Sequence, residues 1–177
     1  MATMIVDPSE RRAAAQAWLQ CFTTNDPFGW PFRPALSRGR VLYPTDGCQL
    51  HAEQFARVAQ LAGSCGDTFA YLAVLEGMSI EGEEIRGDFH RVSFDDFSGY
   101  ASLCLTLDSA LYSPSGQWAL AISHEHHGVL GVTAQYAVDP FLSGDVAWKD
   151  WAEFSRYWRD VPNTPWIESI RRHVFPS

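Results

Sequence analysis

ALYSPSGQWALAISHEHHGVLGVT, residues 110–133, is the stretch whose reading decides the fold. The turn SPSG, Ser113 to Gly116, separates one apolar run from a second that starts at Trp118, and the chain then passes through SHEHHG into HGVLGVT. Short apolar runs divided by Ser, Pro and Gly predict a meander of antiparallel strands.

Upstream, TFAYLAVL (68–75) is rich enough in β-branched and aromatic residues for a buried strand, and EIRGDFHRVSF (84–94) reads as its antiparallel partner. A shorter strand is predicted around Arg40–Tyr43. Helices flank this block. Asp7 can cap a first helix that has Pro8 at its first position and Glu10 where a capping box places it; Ala14, Trp18, Cys21 and Phe22 form its apolar stripe. A second helix is predicted to end at Gly63, with Asp46 and Gln49 as its capping box. Beyond Pro140, Trp148, Trp151 and Trp158 fall on one stripe that the spacing assigns to the core, with Ser143 or Asp145 as cap. A last helix opens with Thr164 and Pro165. The expected fold is α+β, one domain over residues 1–177, with the N-terminal and C-terminal helices on one face of an antiparallel sheet or at its ends.

Composition fits such a domain. The chain has 177 residues, 46% of them hydrophobic, and a formal net charge of −8, enough apolar surface to offset the entropy of ordering. The opening MATMIVDPSERR lacks the apolar core of a secretory signal, and no later stretch has the length of a membrane span, so a cytoplasmic location without membrane attachment is expected. Cys21, Cys48, Cys65 and Cys104 lie far apart without a CxxC pair and read as reduced core residues.

Charge is distributed unevenly. From Val41 to Asp145 fourteen acids face three arginines, whereas the two ends together carry ten basic residues and seven acids. The densest part holds Glu76, Glu81, Glu83, Glu84, Asp88, Asp95 and Asp96 against Arg86 and Arg91. Such a field opposes nucleic-acid binding and steers a protein partner with a basic surface. The segment Asp26–Pro34 adds three prolines and three aromatics, too rigid for a helix and too apolar for a solvated loop. It is expected to pack over the domain's own core, and Trp30 within it is the candidate for an exposed partner anchor.

Catalytic signatures are absent from the sequence. There is no G-x-S-x-G, and the single lysine, Lys149, follows Trp148 rather than a glycine run, which rules out a Walker loop. No cofactor is expected. The segment SHEHHG departs from the zincin pattern, which needs two histidines four apart on a helix. On a strand, alternation would put His124 and His126 on one face with Glu125 and His127 on the other, so His124, His126 and His127 are the candidate ligands of an alternative, metal-binding reading. A third alternative is a small-ligand sensor or adaptor with an aromatic pocket.

The stretch Ala110–Gly131 resembles a segment of small bacterial proteins, some of them similar to immunity proteins of interbacterial toxin systems. That resemblance implies a non-catalytic, acidic protein that binds a cognate toxin or effector and blocks its active site or substrate path. Glu76, Glu81, Glu83, Glu84, Asp88, Asp95, Asp96 and Trp30 are then the expected partner-binding residues, and a nuclease is one kind of toxin whose cationic site such a surface would suit.

Overall fold

The computed structural model describes residues 2–82, 84–137, 139–161 and 164–175. In chain order the elements are β1 (Ala2–Met4), α1 (Pro8–Cys21), β2 (Arg38–Leu42), α2 (Ala52–Ser64), β3 (Phe69–Val74), β4 (Ser79–Glu81), β5 (Glu84–Arg86), β6 (Phe89–Ser93) and α3 (Phe97–Ala101). There follow β7 (Ser109–Tyr112), β8 (Trp118–Ser123), β9 (His127–Val132), α4 (Asp145–Trp158) and α5 (Pro165–Val174). Seven strands form one antiparallel sheet in the order β1-β6-β3-β7-β8-β9-β2, and β4 and β5 form a separate hairpin. This is the expected α+β class, with β7, β8 and β9 as the meander.

The turn between β7 and β8 is fixed by polar contacts. The Ser113 hydroxyl accepts from the Ser115 amide at 3.0 Å, and the Asp67 carboxylate accepts from both the Ser113 hydroxyl and the Trp118 indole N–H, at 2.6 and 2.9 Å. Trp118 therefore enters the core with its one donor satisfied.

Alternation along the strands sends side chains to two apolar layers. Trp118, Leu120 and Ile122 of β8 face Phe55, Val58 and Leu61 of α2 and Tyr100 of α3, while Ala119 and Ala121 face α1, α4 and α5. The alanines leave room for an aromatic layer: Trp18 stacks on Phe22 at 3.9 Å between ring centroids, and both meet Tyr112 edge-on. The N-terminal α1 and the C-terminal α4 and α5 thus share one face, as expected, and α2 and α3 cover the other. The reason is that both faces of the central strands are apolar, as a sheet buried on both sides requires.

Several local expectations change. The run 84–94 is divided into β5 and β6 by Gly87, at φ 104° with Met78 Cα 3.1 Å from where a Cβ would stand. Asp46 and Gln49 exchange backbone hydrogen bonds across a tight turn instead of capping α2, which begins after His51. Trp158 is buried and Trp151 half-buried, but Trp148 is 59% exposed and stacks on Phe175. Gly144, with no side-chain hydrogen bond, is the N-cap of α4 in place of Ser143 or Asp145. Three cysteines are buried as expected, and Cys104 is exposed at φ 47°. Among the described residues no helix is long and apolar enough to cross a membrane.

Candidate functional site

Strand direction determines where the charged residues gather. β3 ends, β6 and β7 begin, and β8 turns into β9 at one rim of the sheet, as the pairings Ala73–Phe89, Val74–Ser109, Ser109–Ile122 and Ser123–His127 require. That rim collects Glu76 after β3, Asp88 before β6, Asp108 before β7 and Glu125 in the β8–β9 turn, and the β4–β5 hairpin with Glu81 and Glu84 hangs from it. From β6 to β8 is three strand spacings, about 14 Å.

Direct contacts tie the middle of the rim together. The Asp108 amide donates to Glu76 Oε1 at 3.0 Å, and Asp108 Oδ1 accepts from the His124 amide at 2.7 Å. His124 Nδ1 lies 2.7 Å from the same oxygen, and its Nε2 is 3.6 Å from Glu125 Oε1. Glu76, Glu81, Glu84 and Asp88 are exposed. Two guanidiniums lie near them. Arg86 is paired with Glu84, and Arg11 is spent on the hairpin backbone, donating to the carbonyls of Ile85 and Gly87 at 3.1 Å.

The remaining expected residues lie elsewhere. Asp95 and Asp96 follow β6 at the opposite rim, where Asp95 accepts from the Ser93 hydroxyl and Asp96 caps α3 by accepting from the Gly99 amide at 2.8 Å. Glu83 lies outside the described residues. Trp30 is half-buried, stacked on His173 at 4.0 Å between ring centroids, and set against Gly39; it joins the Asp26–Pro34 segment to α5. That segment packs over the protein's own core, with Phe32 buried against Phe22.

The three histidines diverge because residues 124–126 form a turn rather than a strand. His126 adopts φ 58°, which breaks the alternation and ends the expected sharing of one face. His124 is 55% exposed and held by Asp108; His126 Nδ1 sits 3.2 Å from both the Thr45 carbonyl and the Gly47 amide. His127 is fully buried among Phe28, Phe154, Trp158 and Trp166, the last stacked on it at 5.6 Å. No group of three His, Cys, Asp or Glu side chains suited to a metal ion occurs among the described residues.

The electrostatics separate the two ends of that turn. The hydrogen bond to Asp108, with the charges of Asp108, Glu125 and Glu76, raises the His124 pKa, whereas burial lowers that of His127 to about 4. Burial, reinforced by the charges of Asp108 and Glu76, pushes the Cys48 thiol beneath the rim up to about 11. Cys21 is held at about 12 and Cys65 at about 11, again by burial, so these three thiols stay protonated at neutral pH. His124 is oriented as a general base would be, yet among the described residues no hydroxyl or thiol is hydrogen-bonded to its Nε2. What the arrangement provides is a row of carboxylates and one cationic-prone imidazole facing outward.

Asp108 and Glu125 were not singled out from sequence, since they stand far from residues 76–88 along the chain. The available signal was their place at the start and end of consecutive predicted strands. In comparisons with protein-family models, with curated proteins and with solved structures, nothing matches this chain.

Proposed function

We propose that this chain is a non-catalytic binding protein of the immunity type, which receives the basic surface of a toxin or effector against the acidic rim formed by Glu76, Glu81, Glu84, Asp88, Asp108 and Glu125. The observation that supports the reading is the convergence of these residues, from three separate parts of the sequence, on one rim of the sheet. Most of their carboxylates are exposed, and the nearby guanidiniums of Arg11 and Arg86 are already engaged. A surface of that kind accelerates and orients association with a cationic partner more than it adds affinity. His124 adds a proton-dependent element: protonated, it removes part of the negative charge.

The test uses the product of the gene adjacent to this one as the partner. Co-expression with this chain should protect cells from that product. Combined Glu81→Lys, Glu84→Lys, Asp88→Lys and Glu125→Lys substitution should abolish protection while leaving the melting temperature close to that of the unmodified protein. A neighbouring product that is harmless, or protection that survives the charge reversal, would overturn the reading.

A further inference from the structure

His127 opens β9 at the sheet's rim and is fully buried, and neither of its ring nitrogens has a hydrogen-bond partner among the described residues. The indole N–H of Trp158 beside it is equally unpartnered there. The backbone carbonyls of Glu125 and Pro27 approach the ring without completing a hydrogen bond. In such a place a neutral imidazole leaves one donor and one acceptor unmet, whereas an imidazolium leaves two donors and a charge.

The walls of this box come from separate elements: Phe154 and Trp158 from α4, Trp166 from α5, and Phe28 from the Asp26–Pro34 segment. Of the two helices α5 is the less firmly held. Ile170 is its one fully buried side chain, and Thr164 gives its first turn no side-chain hydrogen bond, whereas α4 buries Ala147, Phe154 and Trp158. Its other ties run mostly to the same segment. Trp30 stacks on His173, and a Cβ at Gly29 would stand 3.5 Å from Ser169 Oγ. Helix and segment therefore form one layer closed over His127.

Neighbouring charges do not remove the penalty of a proton inside the box. The Asp108 carboxylate favours it and a protonated His124 opposes it, while the Glu125 carboxylate is turned to His124. Glu168 of α5 is paired with Arg171 and Arg172, Asp26 accepts from the Phe28 amide, and Tyr43 lies on Phe154 as a neutral phenol. His173 Nδ1 lies 3.1 Å from the Ser37 carbonyl, a contact that a protonated ring keeps by donating. We propose that α5 is an acid-released latch: protonation of His127 lifts α5 and the Phe28 end of the Asp26–Pro34 segment from the rim while the seven-stranded sheet stays formed. The buried ring resists a proton down to about 4, whereas an exposed imidazole accepts one near 6.5. The open form is the better proton acceptor, so acid favours it, by about twentyfold from pH 7 to pH 5 and about 100-fold by pH 4. This inference is independent of the acidic-rim reading.

Amide hydrogen exchange of the full chain, read residue by residue between about pH 7 and pH 4 and corrected for intrinsic rates, tests it. The opening constant of the α5 amides should exceed that of the β8 and β9 amides at least about tenfold throughout, and should rise about twentyfold from pH 7 to pH 5. His127→Phe keeps a ring in the box with no proton to accept, and should cut that rise below about threefold; His124→Gln and His173→Gln should retain it. A common opening constant for α5, β8 and β9 would mean that helix and sheet open together and would overturn the inference. An α5 constant that is flat with pH, or that rises as steeply in His127→Phe, would overturn it too. Where His127→Phe does not fold, the His127 imidazole of the unmodified chain is followed by NMR. It should take up its proton in step with the opening of α5, and a ring protonated beneath a closed α5 would contradict the latch.

Discussion

The acidic rim and a cleft of about 570 Å³ beside β2, between the N-terminal turns of α2 and α4, are built from the same kinds of charged residues and put them to opposite use. On the rim, carboxylates of one sign stand exposed at the ends of neighbouring strands, where their action is long-ranged and screened by salt. In the cleft, Arg40 and Asp150 are sequestered and paired, and the remaining wall charges cancel. Burial presses the Asp150 carboxyl upward and the Arg40 guanidinium downward, and their mutual hydrogen bond opposes both shifts. In the proposed function the rim's charge steers a partner, whereas the Arg40–Asp150 pair is sequestered from solvent.

The difference can be broken most forcefully from the buried side. Asp150→Ala leaves Arg40 buried without its counter-ion and is expected to cost about 3–5 kcal/mol in urea denaturation. Replacing both, Arg40→Met with Asp150→Leu, should restore most of that loss, because a removed pair leaves no orphan charge.

His127 and His124 repeat the contrast within one turn. The pKa of His127 is depressed to about 4 by burial, so below the unfolded value near 6.5 the unfolded chain takes up a proton that the folded chain resists. Its stabilising contribution is complete above pH 6.5 and is lost as the pH falls toward 4, about 3 kcal/mol in all. His127→Phe should flatten that decline in denaturation curves recorded across the window. His124 has the opposite sign: its pKa is raised, so its contribution is present below 6.5 and disappears as the pH rises through the folded value.

A smaller effect tests the packing of the Asp26–Pro34 segment. A Cβ at Gly131 would meet the Phe32 ring at 2.6 Å, so Gly131→Ala should cost about 1–3 kcal/mol in thermal melts as Phe32 is displaced. The smallest effect on stability belongs to the rim. Glu81→Lys, Glu84→Lys and Asp88→Lys should each change it by no more than about 0.5 kcal/mol, because none of the three carboxylates supports the fold.

What was legible in the sequence was local. The Asp7 cap accepts from the Glu10 amide at 2.8 Å, the SPSG turn joins β7 to β8, and the stripe through Ala14, Trp18 and Cys21 is buried. Each depends on residues a few positions apart. The position of the site depends on strand order, which no local pattern carries: Asp108 and Glu125 join Glu76 through pairing of β3, β7 and β8, while Asp95 and Asp96 are carried to the far rim by the length of β6. His126 illustrates the same limit. Period-two alternation predicted a shared face with His124, and a positive φ at one residue removed it. Trp148 faces outward because the buried stripe of α4 runs through Ala147, Phe154 and Trp158, and Trp148 stands about 100° around the helix from Ala147. The cleft draws its walls from β2, α2 and α4, and only the fold assembles them.

The central claim, that the rim is a docking surface for a basic partner, is tested most directly by association kinetics. The rate constant for binding the neighbouring gene's product should be measured against ionic strength for the unmodified protein and for the Glu81→Lys, Glu84→Lys, Asp88→Lys, Glu125→Lys variant. The account predicts association of the unmodified protein that slows steeply with salt, a variant at least about tenfold slower at low salt, and convergence of the two near 1 M. Superimposable rates for the two proteins at every salt concentration would contradict it.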